Sequence, residues 1–78
     1  MLSSGTTKRQ VSVNTLVRVR FQDGTVRNLR IMLNPKPKDN VISSQSPVGA
    51  ALLGASNNER RKYFVNGEAR TLTVLSIL

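Results

Sequence analysis

The side chains of this chain that could do chemistry are mainly cations. Twelve Lys and Arg residues stand against four Asp and Glu residues, which gives a formal net charge of +8. Two sets of these cations are expected to form basic patches. One is Arg18, Arg20 and Arg30, on two neighbouring predicted strands, and the other is the consecutive run Arg60, Arg61 and Lys62. A positive surface of this strength attracts phosphate groups or acidic protein surfaces. The basic residues therefore indicate an anionic partner.

The chain lacks the residue types on which most catalytic and metal chemistry depends. It has no Cys and no His, which excludes thiolate nucleophiles, disulfides and the commonest zinc ligands. Its carboxylates stand singly in the sequence, with no spacing typical of paired acid–base groups; they are Asp23, Asp39, Glu59 and Glu68. We therefore expect no catalytic residues, no cofactor, no metal site and no small-molecule substrate, and we interpret the protein as non-enzymatic.

The N-terminal segment indicates where the domain begins. The segment over residues 1–10 is mostly small and polar, ends with the cations Lys8 and Arg9, and carries the isolated apolar residue Leu2. It therefore lacks the apolar core of a secretory signal. No stretch approaches the ~20 apolar residues of a membrane span. We expect a disordered basic arm over residues 1–10, one domain over residues 11–78, no membrane partner and a cytoplasmic location.

Alternating apolar and polar residues predict a β-hairpin over about residues 13–33. Asp23-Gly24 marks its turn, because this dipeptide tolerates positive φ. Leu29, Ile31 and Leu33 would share the face that is turned to the core. The cations on the predicted solvent face are Arg18, Arg20 and Arg30.

Ser46-Pro47 predicts the start of a short helix. The Ser46 hydroxyl can cap the first turn, and Pro47 suits the first helical position, where no N–H donor is needed. Gly54 is placed to end the helix in the left-handed conformation. The apolar residues at helical spacing are Val48, Ala51, Leu52 and Ala55.

The remaining segments predict further strands. Two prolines make residues 34–40 a loop, and Val41-Ile42 begins a short strand after it. Beyond the helix, Asn66-Gly67 joins a strand over residues 60–65 to a longer strand over residues 68–78. The order β-β-β-α-β-β predicts an α+β domain in which one helix packs on a mostly antiparallel, twisted sheet.

The segment SPVGAALLG, residues 46–54, resembles a segment of the C-terminal domain of the Gre transcript-cleavage factors. It is still more similar to the segment in the regulator of nucleoside diphosphate kinase, a small member of the same superfamily. Residues 41–43 and 67–72 resemble the flanking strand and the final hairpin of that family, and the resemblance covers roughly residues 17–78. It implies an FKBP-like fold, a twisted antiparallel sheet wrapped around one short helix.

The resemblance also implies a partner. In Gre-like factors this domain docks on the rim of the RNA polymerase secondary channel, against a coiled coil of the largest catalytic subunit. The loop and helix start around the Ser-Pro dipeptide make much of that contact. Carried onto this sequence, the docking residues are Gln45, Ser46, Pro47 and Val48, and Gln45 is neutral where the cleavage factors often have an acidic residue.

The activity implied by the resemblance is binding alone. Full cleavage factors carry an N-terminal coiled coil with acidic tip residues, and this sequence has no counterpart to it, so transcript cleavage is not implied. We expect a transcription-associated binding module that docks near the rim of the secondary channel. There it could compete with Gre-like factors, or bridge polymerase to a partner bound by its basic faces.

The basic residues support an alternative, a small nucleic-acid-binding domain. Cations that neutralise phosphates release counterions and bind with a steep dependence on salt. Only Tyr63 and Phe64 offer rings for base stacking here, and strand alternation would expose just one of them. An FKBP-like fold also suggests peptidyl-prolyl isomerase activity, but a shared fold does not establish a shared function. We do not expect this activity, because the substrate pocket of an isomerase needs an aromatic lining that three aromatic residues cannot supply.

Overall fold

The alternating β-branched segments form one sheet in the computed structural model, which describes residues 9–78. The elements in chain order are β1 (Leu16–Phe21), β2 (Val26–Met32), β3 (Val41–Ser43), α1 (Pro47–Leu52), β4 (Arg60–Val65) and β5 (Glu68–Ile77). The strand order in the sheet is β3-β2-β1-β5-β4. Neighbouring strands are antiparallel except for β2 and β3, which are parallel. This confirms the predicted α+β class and the predicted order of elements.

The first hairpin begins later than its apolar pattern predicts. β1 starts at Leu16, because Asn14 has a φ of 73° and interrupts the extended backbone. The Thr15 N–H donates to the carbonyl of Ser12 at 3.1 Å, which closes a turn just before the strand. The prediction of a strand from about residue 13 was therefore wrong at this end, and Val13 is exposed.

The same hairpin also ends earlier than predicted. Leu29 and Ile31 are buried as expected, but β2 stops at Met32. Leu33 is 55% exposed, since the chain leaves the sheet there for the proline-containing loop. The prediction that Leu33 shares the core face was wrong.

The turn of this hairpin uses Asp23 and Gly24 in different ways. Gly24 alone takes a positive φ, 91°, and its N–H donates to the carbonyl of Phe21 at 2.9 Å. The Asp23 carboxylate accepts a hydrogen bond from the Thr25 N–H at 2.9 Å. That backbone hydrogen bond is the main cause that lowers the pKa of Asp23. The contact therefore stabilises the folded state at a pH above the pKa that Asp23 has in the unfolded chain. This stabilisation is lost as the pH falls through the lowered pKa of the folded state.

The last strand contains a β-bulge that the sequence pattern does not predict. Asn66 and Gly67 both have positive φ, which confirms the predicted two-residue turn that leads into β5. Farther along, the register between β1 and β5 shifts between Arg18 and Val19, so Leu75 is the extra residue. The buried residues that this bulge keeps on one face of β5 are Leu72, Val74 and Ile77.

The core lies between the inner face of the sheet and α1. Its members are Val11, Val17, Val19, Leu29, Ile31, Leu52, Ala55, Tyr63, Leu72, Val74 and Ile77. Val11 joins this core through two backbone hydrogen bonds, because its N–H donates to Ala55 and its carbonyl accepts from Gly54, at 2.9 and 2.8 Å. The segment before β1 is thus tied to the loop after the helix.

The predicted N-terminal arm falls mostly outside the described residues, which begin at Arg9. The Arg9 guanidinium donates to the carbonyls of Ile77 and Leu78 at 3.3 and 3.4 Å. The arm and its boundary near residue 10 stay predictions. In the part of the chain from residue 9 onward, no helix has the length and apolar character needed to cross a membrane.

Candidate functional site

The turn between β3 and α1 is organised around the backbone carbonyl of Ser43. That oxygen accepts hydrogen bonds from the N–H of Ser46 at 3.0 Å and from the hydroxyl of Ser46 at 2.7 Å. The hydroxyl of Ser43 accepts the N–H of Gln45 at 3.0 Å. These short-range bonds fix the backbone of the turn and leave the Gln45 side chain exposed.

Ser46 caps the helix as predicted. Its φ and ψ are −72° and 160°, and its hydroxyl oxygen accepts the N–H of Gly49 at 3.0 Å. Pro47 occupies the start of the helix, where a missing N–H costs nothing. Because the Ser46 hydroxyl donates to Ser43 and accepts from Gly49, its hydrogen bonds hold the turn together.

Gly49 is the residue of this segment that sequence reasoning missed. It is buried in the first half of α1, and a Cβ added there would overlap the carbonyl oxygen of Ser43 and lie 3.0 Å from the Ser46 hydroxyl oxygen. Glycine is needed for close approach, since only a backbone without a side chain lets the helix touch the turn. The available signal was a glycine three residues after the capping serine, a helix position where glycine is otherwise unfavourable.

The predicted docking residues lie together at this junction. Gln45 and Pro47 are exposed, while Ser46 and Val48 are partly buried. Ala50, which the sequence did not indicate, adds exposed apolar surface one turn along the helix. No residue from Gln45 to Ala50 is charged. The junction therefore offers a small, rigid, neutral surface that suits apolar and amide groups of a partner.

The end of α1 follows the predicted pattern. Leu53 is the C-cap residue, and its N–H donates to the carbonyl of Gly49. Gly54 then takes a φ of 81°, the left-handed conformation expected at this position. Within the predicted apolar stripe, Leu52 and Ala55 are fully buried and fix the helix on the inner face of the sheet.

Of the two predicted basic sets, the set Arg18, Arg20 and Arg30 stays on one face of the sheet, and the other set is divided. Strand alternation sends neighbouring side chains to opposite faces, and the members on the outer face are Arg18, Arg20, Arg30, Arg60 and Lys62. Arg61 lies on the inner face, and its Nε is 3.1 Å from a Glu59 carboxylate oxygen, an ion pair without hydrogen-bond geometry. The contiguous set Arg60, Arg61 and Lys62 is therefore split, and Arg61 is not part of an outer basic surface.

A pocket of about 410 Å³ lies between β2, the first residue of β3 and the loop that joins the two strands. Its lining residues are Arg30, Met32, Asn34, Pro35, Lys36, Pro37, Lys38 and Val41. The lining contains three cations and no aromatic ring, which is unlike the aromatic pocket that a prolyl isomerase needs. Over residues 9–78 no three His, Cys, Asp or Glu side chains come together as metal ligands would.

Comparison with known proteins places this geometry in a family. The family description "Transcription elongation factor, GreA/GreB, C-term" matches residues 6–78. No curated protein matches the chain.

Solved structures share the fold at low sequence identity. Gfh1 of Thermus aquaticus has a TM-score of 0.72 and 20% identity, over 99% of this chain and 52% of that one. Gfh1 of Thermus thermophilus, described as GreA factor homolog 1, has a TM-score of 0.69 and 21% identity, over 99% of this chain and 53% of that one. A GreA/GreB transcription elongation factor from Nitrosomonas europaea has a TM-score of 0.68 and 20% identity, over 96% of this chain and 65% of that one.

The chain thus spans about half the length of the Gfh1 proteins that it resembles. The likeness confirms the predicted FKBP-like fold, a half-barrel sheet around one short helix, with the correction that β2 and β3 run parallel.

Proposed function

The chain belongs to the family of C-terminal domains of the GreA/GreB transcription elongation factors, and on this basis we propose that it docks on RNA polymerase near the rim of the secondary channel. Membership of the family gives the domain a transcription-associated role. The proposed partner is the largest catalytic subunit of the polymerase, and the proposed docking residues are Gln45, Ser46, Pro47 and Val48. The domain acts in the cytoplasm as a non-enzymatic binding module.

The hydrogen bonding of the β3–α1 junction is the observation that supports this site. Gln45 and Pro47 are exposed on a turn that three hydrogen bonds to Ser43 hold in place. The close contact of Gly49 with that turn fixes the helix start as well. A preorganised surface loses little conformational entropy on binding, so a small contact can carry useful affinity. Ser46 acts mainly by positioning its two exposed neighbours.

The charge of the chain supports an acidic partner surface around this contact. The junction itself is neutral, whereas the chain as a whole carries +8. Complementary charge raises the rate of encounter more than it strengthens the final complex. We therefore expect the association rate with polymerase to fall as salt is raised, while the dissociation rate depends on Gln45 and Pro47.

Direct binding to core RNA polymerase tests the docking residues. We expect the variant Gln45→Ala/Pro47→Ala to bind at least about tenfold more weakly than the wild type, because the few contacts that dominate an interface cost more than ~1 kcal/mol each when they are truncated. Pro37→Ala is the matched control, since Pro37 is an exposed proline in the loop before β3. Its affinity should equal that of the wild type within about twofold.

Two results would contradict the proposed site. One is the absence of wild-type binding at moderate salt. The other is an unchanged affinity of the double variant, with unfolding curves that show an intact fold. Pro47→Ala keeps the Ser46 cap and the helical backbone, so the variant is expected to fold.

A further inference from the structure

The sheet register joins the two basic sets of the sequence into one row on the outer face. Arg20 of β1 and Arg60 of β4 both pair with Thr73 of β5, from opposite sides. The two arginines are thus separated by a single small side chain. Lys62 follows Arg60 two residues along the same face of β4.

The row continues on the other side of β1. Arg18 lies two residues before Arg20 on the same face, and Arg30 pairs with Leu16 one step farther along β1. The Nε of Arg18 donates to the Asn28 side-chain oxygen at 3.1 Å. This bond orients the guanidinium along the sheet and leaves its other N–H donors for a ligand. The row therefore crosses the sheet from β2 to β4.

Over residues 9–78, no strand position on the outer face carries a carboxylate that could neutralise this row. The Asp23 side chain is held in the first turn by Thr25. Glu59 pairs with Arg61, and Glu68 pairs with Arg70. Asp39, the fourth acidic residue of the chain, lies in the loop before β3. Among residues 9–78, none of the five cations of the row makes an ion pair, so their charge is available to an external anion.

We propose that this outer basic row, defined by Arg18, Arg20, Arg30, Arg60 and Lys62, binds the phosphate backbone of double-stranded DNA without reading its sequence. Residues two apart on a strand are ~7 Å from each other, and residues on β1 and β4 are about 10 Å apart across β5. These separations are comparable to the widths of the grooves of B-DNA, roughly 6 and 12 Å, so the row can contact phosphates on both sides of a groove.

The composition of the face favours a duplex over the other anionic partners. Single-strand binders add stacking rings to their cations, and Phe64, 59% exposed at the far end of β4, is the one exposed ring in residues 9–78. Protein interfaces have an apolar centre, whereas Arg18 and Arg20 lie on β1, the middle strand of this face. Because α1 covers the inner face, the outer basic row and the β3–α1 junction can be occupied at the same time.

Fluorescence anisotropy with a labelled DNA duplex tests the proposal. For contacts to five phosphates, the logarithm of the binding constant should fall with the logarithm of salt concentration at a slope of about −4.5. The variant Arg20→Gln/Arg60→Gln should bind about tenfold more weakly or worse at ~50 mM salt, with a slope smaller by about 2.

A second variant removes the same charge elsewhere. Arg27 pairs with Val19 and Arg70 pairs with Tyr63, so both arginines project from the inner-face side of exposed strand ends. Arg27→Gln/Arg70→Gln should bind the duplex within about threefold of the wild type and keep its salt slope.

Three results would overturn the proposal. The first is no binding of the duplex at low salt. The second is an equal loss of affinity in the two charge-matched variants, which would show a general effect of net charge. The third is binding of a single-stranded oligonucleotide or of polyglutamate that is as tight as binding of the duplex.

Discussion

The Gly49→Ala variant is expected to be about 3 kcal/mol less stable than the wild type, at the upper end of the usual cost of overpacking. A methyl group at this position overlaps the carbonyl oxygen of Ser43, and backbone cannot move aside as a flexible side chain can. The helix must leave the turn or the turn must break its hydrogen bonds to Ser46. Domains have roughly 0.05–0.15 kcal/mol of stability per residue, so this loss is a large fraction of the roughly 4–12 kcal/mol expected of a 78-residue chain.

The sign of the effect separates this explanation from helix propensity. Alanine is a better helix former than glycine by about 1 kcal/mol, so propensity alone predicts that Gly49→Ala is stabilising. Ala50→Gly is the control, because Ala50 is the exposed neighbour in the same helix and should lose only ~1 kcal/mol. Urea unfolding followed by circular dichroism measures both. A Gly49→Ala variant as stable as the wild type would contradict the close contact.

The Leu52→Ala variant is expected to lose about 2–5 kcal/mol of stability. Leu52 is 0% exposed and is the largest side chain that α1 contributes to the core. Its removal leaves a cavity between the helix and the sheet, and a helix this short cannot persist without that contact. Leu33→Ala is the control, since Leu33 lies outside the core and its loss should cost less than about 0.5 kcal/mol.

This second prediction also ties the core to the docking surface. The fixed position of Gln45 and Pro47 depends on α1 being seated on the sheet. Leu52→Ala should therefore weaken polymerase binding in proportion to the unfolded fraction that denaturation measures. Equal losses from Leu52→Ala and Leu33→Ala would show that the helix is not packed as described.

Local signals explain the parts of the fold that could be predicted from the sequence. The Asn66-Gly67 turn and the Ser46 cap depend on neighbouring residues only, and both were placed correctly. Strand alternation also predicted that one residue of the Tyr63-Phe64 pair is buried and the other exposed, as observed. The same alternation predicts that Arg60 and Arg61 lie on opposite faces of β4, so the position of Arg61 on the inner face could have been predicted from the sequence.

Long-range pairings account for what the sequence did not reveal. The parallel contact of β2 with β3 depends on how the intervening loop returns to the sheet, which no local pattern specifies. Val11 joins the core only because Ala55 lies opposite to it after folding. The space requirement at Gly49 likewise arises from Ser43, on another element.

The candidate docking site was predicted from a family resemblance rather than from chemistry. The four residues Gln45 to Val48 carry no charge and no unusual group, so nothing in their types announces a partner. The structure shows that these residues differ in exposure. Gln45 and Pro47 are exposed, while the Ser46 hydroxyl forms its hydrogen bonds within the turn. The outer basic row, by contrast, follows from strand register, which the sequence alone did not contain.

Competition for core RNA polymerase is the most direct test of the proposed function. A labelled GreA-type factor bound to core polymerase should be displaced completely by the wild-type protein, at concentrations set by the affinity from direct binding. Gln45→Ala/Pro47→Ala should need about tenfold more protein, in line with its weaker binding. A ternary complex in which polymerase holds both proteins at saturation would contradict docking at the shared rim.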